Sequence, residues 1–149
     1  MKLKTIFFVF IVAATTLWAQ SNRFLDEFLE TEIARFGDTV VLTLAAADRI
    51  PADSAPADAM AALPRRMRGV RTEDPSRPAT LGEFCYLVME SFEIHGGLMY
   101  FLFAGPRYAA RELAYLGMLS GSTNPRRTVT GEEVLKVLGA ALNWREKRQ

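Results

Sequence analysis

Two short sequences, Thr80-Leu81-Gly82-Glu83 and Thr130-Gly131-Glu132-Glu133, stand 50 residues apart, each immediately before an apolar run. Thr followed three residues later by Glu is a capping box. The hydroxyl accepts a hydrogen bond from the Glu N–H, and the carboxylate reaches back to the Thr N–H. Each box therefore predicts a helix start. Leu81, Phe84, Cys85, Val88 and Phe92 continue the first at three- and four-residue spacing. Val134, Leu135, Leu138, Ala141 and Leu142 continue the second, with Val129 and Val134 placed to staple its cap. The first helix is expected to end near His95-Gly96-Gly97.

Other segments carry helical signals too. Phe24, Leu25, Phe28, Leu29, Ile33 and Phe36 form the stripe of an amphipathic helix of about three turns. Gly37 is its expected stop, and Asp38 or Thr39 the cap of a second segment, Val40 to Arg49. Val40 to Leu44 reads as strand or helix, and Ala45-Ala46-Ala47 favours helix. Pro56 to Leu63 predicts a short helix behind an N-terminal proline. Leu98 to Phe103 is a strand, a buried turn or an exposed membrane-touching patch; its length favours burial. Arg107 to Leu119 is expected helical, with Ala109, Leu113 and Leu116 on one face, Gly117 and Gly121 at its exit, and a turn at Asn124-Pro125.

At the 50-residue offset Ala79 meets Val129, Cys85 meets Leu135 and Phe92 meets Leu142. The expectation is an all-α fold: a small helical domain of about five or six helices, built as two degenerate helix-loop-helix repeats, about 24–95 and 98–145, sharing one core. The expected core comprises Phe28, Ile33, Leu44, Phe84, Val88, Phe92, Leu113, Leu116, Val134, Leu138 and Leu142, with Trp144 closing it.

The first residues carry an address. Lys2 and Lys4 precede an uncharged, mostly apolar stretch from Thr5 to Ala19, ending Leu17-Trp18-Ala19. That is the form of a signal peptide, residues 1–19, leaving 20–149 as a single exported domain in the periplasm or at the cell surface. An uncleaved anchor is the other reading, although the run is short for a bilayer span. No Cys stands at the cleavage point, which argues against a lipoprotein. No membrane span is expected after cleavage.

Composition narrows the function. Half of the residues are hydrophobic, enough for a core. Removing Lys2 and Lys4 from 18 basic residues leaves the chain near neutral against 17 acidic ones, so nucleic acid is not an expected partner. Cys85 is the only cysteine, so no internal disulfide forms; it is a buried apolar residue, a reactive thiol or an intermolecular bridge. Arg65, Arg66, Arg68, Arg71 and Arg77 make either a patch for anionic ligands or a solvated loop paired with Glu73, Asp74 and the acidic first helix.

Catalytic signals are missing. His95 is the only histidine, and no Cys/His cluster has metal-ligand spacing. A Cys85–His95 dyad is poorly placed because Cys85 lies on a core stripe. Glu132 and Glu133 leave a helix on different faces. No catalytic residue, metal or cofactor is expected.

The second half resembles an S-layer homology domain. Tyr108-Ala109-Ala110 opens a helix, Gly117-Met118-Leu119-Ser120-Gly121 matches the family's glycine-bounded exit, Pro125 lies in the loop, and Val129-Thr130-Gly131-Glu132-Glu133 begins the next helix. Ala79-Thr80-Leu81-Gly82-Glu83 is a weaker copy. The resemblance implies an all-helical module that binds cell-wall polysaccharide. It departs from the family where Arg follows the Thr, here Leu81 and Gly131, in the leading Trp, here Tyr108, and in a short loop lacking the Asp-Gly-aromatic turn. Candidate ligand-binding residues are Tyr108, Arg126 and Arg127, with Arg65, Arg66 and Arg68. The lost family residues favour a non-enzymatic, structural or protein-binding envelope module whose partner is another envelope protein. A module binding cell-wall polysaccharide is the alternative.

Overall fold

The computed structural model describes residues 23–63, 67 and 74–148. The expected signal peptide and Arg65, Arg66, Arg68 and Arg71 lie outside them. Among the described residues the fold is all-α, without strands. Helix α1 covers residues 23–29, α2 Phe36–Ala46, α3 Pro56–Ala61, α4 Leu81–Ser91, α5 Leu98–Leu102, α6 Pro106–Tyr115 and α7 Gly131–Glu146. None of these helices is long and apolar enough to cross a membrane.

Helix α4 is the centre, packed against α2, α6 and α7. Leu81, Phe84, Cys85, Leu87 and Val88 have no exposed surface, and Tyr86 and Met89 are buried as well. An apolar run without a polar face can be buried on every side, which is where α4 sits. Helix α7 is one-sided: Val134, Val137, Leu138 and Ala141 face inward, while Glu132 and Lys136 pair on the exposed surface.

Three helix starts meet at one junction. Ala34, Ala79 and Val129, each just before the N-cap of α2, α4 and α7, close a ring of backbone hydrogen bonds. Ala34 N–H donates to Val129 C=O at 2.9 Å, Val129 N–H to Ala79 C=O at 3.2 Å, and Ala79 N–H to Ala34 C=O at 2.9 Å. All three are fully buried, so the ring satisfies groups that water cannot reach. The helix ends follow the same rotation. Phe36 and Gly37 N–H donate to Arg77 and Pro75 C=O, Leu81 and Gly82 N–H to Arg127 and Pro125 C=O, and Gly131 N–H to Thr31 C=O, at 2.8–2.9 Å. The N–H groups that open a helix have no partner inside it; here the segment entering the next helix supplies one.

This junction explains the glycines. A Cβ on Gly37 would sit 2.8 Å from Pro75 Cβ, and one on Gly82 2.8 Å from Pro125 Cβ. A Cβ on Gly131 would overlap the carbonyl oxygen of Phe28. Gly37 is thus the second residue of α2 and not a stop.

Several expectations are corrected. The first amphipathic stretch is not one helix: α1 ends at residue 29, and Ile33 is 52 % exposed because the chain has turned toward the junction. Helix α2 starts at Phe36, not Val40, and its N-cap is Arg35, not Asp38 or Thr39. The Thr39 hydroxyl bonds back to Arg35 C=O. Helix α4 ends at Ser91, before the His95-Gly96-Gly97 stop, where Glu93 takes a left-handed φ of 55°. Leu98 to Phe103 is a short helix and its exit, and of these residues only Tyr100 is buried. Leu116 caps α6 and is partly exposed; Leu142 and Trp144 are half-buried. The remaining expected core residues are all buried in one cluster.

Candidate functional site

Both capping motifs form, with different completeness. At α4 the Thr80 hydroxyl accepts from Glu83 N–H, and the Glu83 carboxylate accepts from Thr80 N–H at 3.2 Å. At α7 the Thr130 hydroxyl accepts from Glu133 N–H at 3.1 Å, but no return bond to Thr130 N–H forms. Each Glu is also gripped by an arginine six residues earlier. Arg77 Nη1 and Nη2 donate to the two Glu83 oxygens at 2.9 and 3.0 Å. Arg127 Nη1 donates to Glu133 Oε2 at 2.8 Å, and its Nη2 to Oε1. Each Nη1 also reaches the carbonyl of the next residue, Pro78 or Thr128, at 3.2 Å. The two assemblies repeat at the 50-residue offset, and fork-to-fork pairing fixes both partners.

These pairs engage Arg127 of the candidate ligand set and Arg77 of the arginine cluster between residues 65 and 77. Arg127 is half-buried against Glu133, whose hydrogen bond raises the Arg127 pKa further. Arg77 also stacks over the Phe36 ring, 4.1 Å from its centroid. Arg77 thus joins the start of α4 to the first turn of α2.

Arg126 is placed differently. It is exposed at the rim of an open cleft of about 390 Å³, together with Arg107 and Arg111 of α6 and with Thr123, Asn124 and Pro125. The Asn124 carboxamide oxygen accepts Arg126 N–H at 3.1 Å, which shapes the loop and turns it toward α6. Arg107 and Arg111 are four residues apart and share one face of α6. No carboxylate among the described residues pairs with any of the three guanidinium groups. Tyr108 does not line this cleft; its half-buried ring stacks on Phe103 at 6.2 Å. Sequence reading found Arg126 and missed Arg107 and Arg111, because two arginines at i and i+4 look like an ordinary solvated helix face.

The rest of the molecule offers less to chemistry. Burial, then the neighbouring Glu133 charge, pushes the Cys85 thiol up to about 12, so it is protonated and enclosed. His95 borders a cleft of about 320 Å³ with Glu90 and Glu93. Glu90 accepts from Tyr100 Oη and Glu93 from Arg49, so neither carboxylate is held for the imidazole. Glu132 points away from Glu133, toward Lys136, which lowers its pKa. No group of three or more His, Cys, Asp or Glu among the described residues is placed to hold a metal.

Comparison of the chain with family models, with curated proteins and with solved structures finds no match.

Proposed function

We propose that this chain is an exported, non-catalytic binding module of the cell envelope that takes an anionic ligand between α6 and the loop entering α7. The observation that carries the reading is the cleft of Arg107, Arg111 and Arg126, three guanidinium groups with no carboxylate among the described residues to neutralise them. Guanidinium forks bind carboxylates and phosphates in paired hydrogen bonds, and a shallow open cleft suits a polymer better than an enclosed small molecule. The likeness of residues 107–142 to an S-layer homology domain supports an acidic cell-wall polysaccharide as that ligand.

A second reading, an adaptor whose partner is an acidic segment of another envelope protein, is favoured by one observation. The positions after the two capping threonines, Leu81 and Gly131, are buried in the junction. The arginine that the family places there for glycan contact therefore has no counterpart here.

The test is co-sedimentation with purified sacculi carrying their attached polysaccharide, against bare peptidoglycan. Polysaccharide-dependent binding should fall about tenfold or more when Arg107, Arg111 and Arg126 are all replaced by Ala. Arg127 is left intact because it braces Glu133. Binding to polysaccharide that ignores the triple substitution removes the cleft from the mechanism. Absence of binding to either material rejects the polysaccharide and leaves the adaptor.

A further inference from the structure

Helix α5 is the most apolar exposed surface among the described residues. Leu98, Met99, Phe101, Leu102 and Phe103 are all more than half exposed, Phe101 by 80 %. At 100° per residue Leu98, Met99, Phe101 and Leu102 fan over about 160° of the helix and Phe103 follows in its exit, so α5 is a convex ridge and not a flat face. The ridge is held in place, not frayed. Tyr100 is its buried anchor: its ring meets Tyr86 of α4 edge-on at 6.2 Å, and its hydroxyl donates to Glu90 at 3.0 Å. Phe103 is fixed by its stack on Tyr108.

Charge lies beside this ridge. Helix α5 packs on α6, and Arg107 follows Phe103 by four residues. Arg107, Arg111 and Tyr115 run along one exposed stripe of α6, the Tyr115 side 88 % exposed. Of the nearby carboxylates, Glu112 is half-buried and turned toward Gly97 at the opposite end of α5, and Glu90 and Glu93 border Phe101. The local surface is thus an apolar wedge with unpaired arginines and a tyrosine on one side and carboxylates on the other.

We propose that α5 inserts into the interface of a lipid bilayer with anionic headgroups, Arg107 and Arg111 meeting the phosphates. The proposal rests on the binding-module reading and adds a second surface to it. Three observations select lipid over the other occupants. A convex ridge finds contact over its whole curve in a deformable medium, whereas a protein needs a matching groove. Arg107 and Arg111 beside the Phe103 end are complementary to anionic headgroups, while Glu90 and Glu93, which border Phe101, accept from Tyr100 and Arg49. A second copy meeting the same face would bring Arg107 and Arg111 toward their own like charges.

The experiment uses the full chain with an environment-sensitive fluorophore on a single surface thiol, since the enclosed Cys85 does not react. The probe is placed by Phe101→Cys or, independently, Leu102→Cys, with Lys136→Cys on α7 as the control. Thermal unfolding confirms that each folds. Vesicles of phosphatidylcholine with and without phosphatidylglycerol are added. The α5 probes should shift to the blue with anionic vesicles, and the Lys136→Cys probe should not. Arg107→Gln with Arg111→Gln should weaken the α5 response about tenfold or more. If the chain floats with vesicles while the α5 probes stay in water, attachment lies elsewhere and the proposal is overturned. A blue shift that grows with protein concentration without lipid would assign the ridge to a second copy and overturn it equally. Silent α5 probes alongside intact, arginine-dependent polysaccharide binding would reject lipid insertion alone.

Discussion

Helices α4 and α7 begin with the same device and end with different weights in the fold. Both have a Thr cap, a Glu three residues on, and an Arg six residues before that Glu holding it in a two-pronged ion pair. But α4 is buried at every residue except its two glutamates, packed against α2, α6 and α7, whereas α7 keeps one face in water. The α4 pair is also the more protected: Arg77 and Glu83 side chains are 18 % and 14 % exposed, against 28 % and 19 % for Arg127 and Glu133. A local signal can therefore specify where a helix starts without specifying how much depends on it. Depth is decided by what the rest of the chain packs around it.

Helix α2 extends the comparison. It joins the same ring at Ala34 but has no side-chain cap. Its start is held by Arg77 and Pro75 carbonyls alone, and Asp38 in its first turn carries a pKa raised by burial, which nearby Arg35 partly opposes. The backbone ring is common to the three starts, and the side-chain cap is an addition.

The strongest way to break the likeness is at the junction itself. Gly131→Ala places a methyl on the Phe28 carbonyl and should cost about 3 kcal/mol, read as a lower urea midpoint. Next comes a difference in depth. Cys85 on α4 corresponds to half-buried Leu135 on α7. Above the ordinary thiol value of 9.0 the unfolded chain loses the Cys85 proton, while the folded chain holds it to about 12. Stability should thus fall as pH rises through that window. Relative to Cys85→Ala, the native chain should lose about 2 kcal/mol between about pH 9 and about pH 11 in parallel urea titrations.

The ion pairs sharpen the ranking. Glu83→Ala should cost about 1.5 kcal/mol and Glu133→Ala about 1 kcal/mol, because only Glu83 also returns to its N-cap and its pair is the less hydrated. Equal losses by thermal unfolding would mean that depth does not set the weight of the device. The smallest effect is a gain. Arg35 has the extended backbone of an N-cap, φ −78° and ψ 145°. Arg35→Thr should give α2 the cap it lacks and raise stability by about 0.5 kcal/mol, seen as a small upward shift of the melting temperature.

What sequence reading recovered was local, and what it missed was not. The caps at Thr80 and Thr130 are legible because partners three residues apart decide them. The core positions of α4 are legible from their spacing; on α7 the spacing finds Val134, Leu138 and Ala141, takes half-buried Leu135 and Leu142 for core, and passes over buried Val137. Gly37 and Gly131 are not: their reason is the backbone of residues far away, Pro75 and Phe28. The α5 run was expected inside because large apolar residues are usually covered. Only packing shows that Tyr100 is the one covered here. For the candidate site, Arg126 was legible as a loop cation. Its separation from Arg127 was not, because the two neighbours differ only in which one finds Glu133.

The ring at Ala34, Ala79 and Val129 also bears on how the chain reaches its fold. Helical proteins commonly fold fast because most of their contacts join near neighbours in sequence. Here the starts of α2 and α4 are completed by segments about one third of the chain away and that of α7 by one about two thirds away, and the ring closes only when all three segments arrive. Two of them together leave backbone groups unpaired in a space that excludes water. Such a closure favours an all-or-none transition, slower than a helical bundle of this size would otherwise show, with the loop-closing search as its slow step.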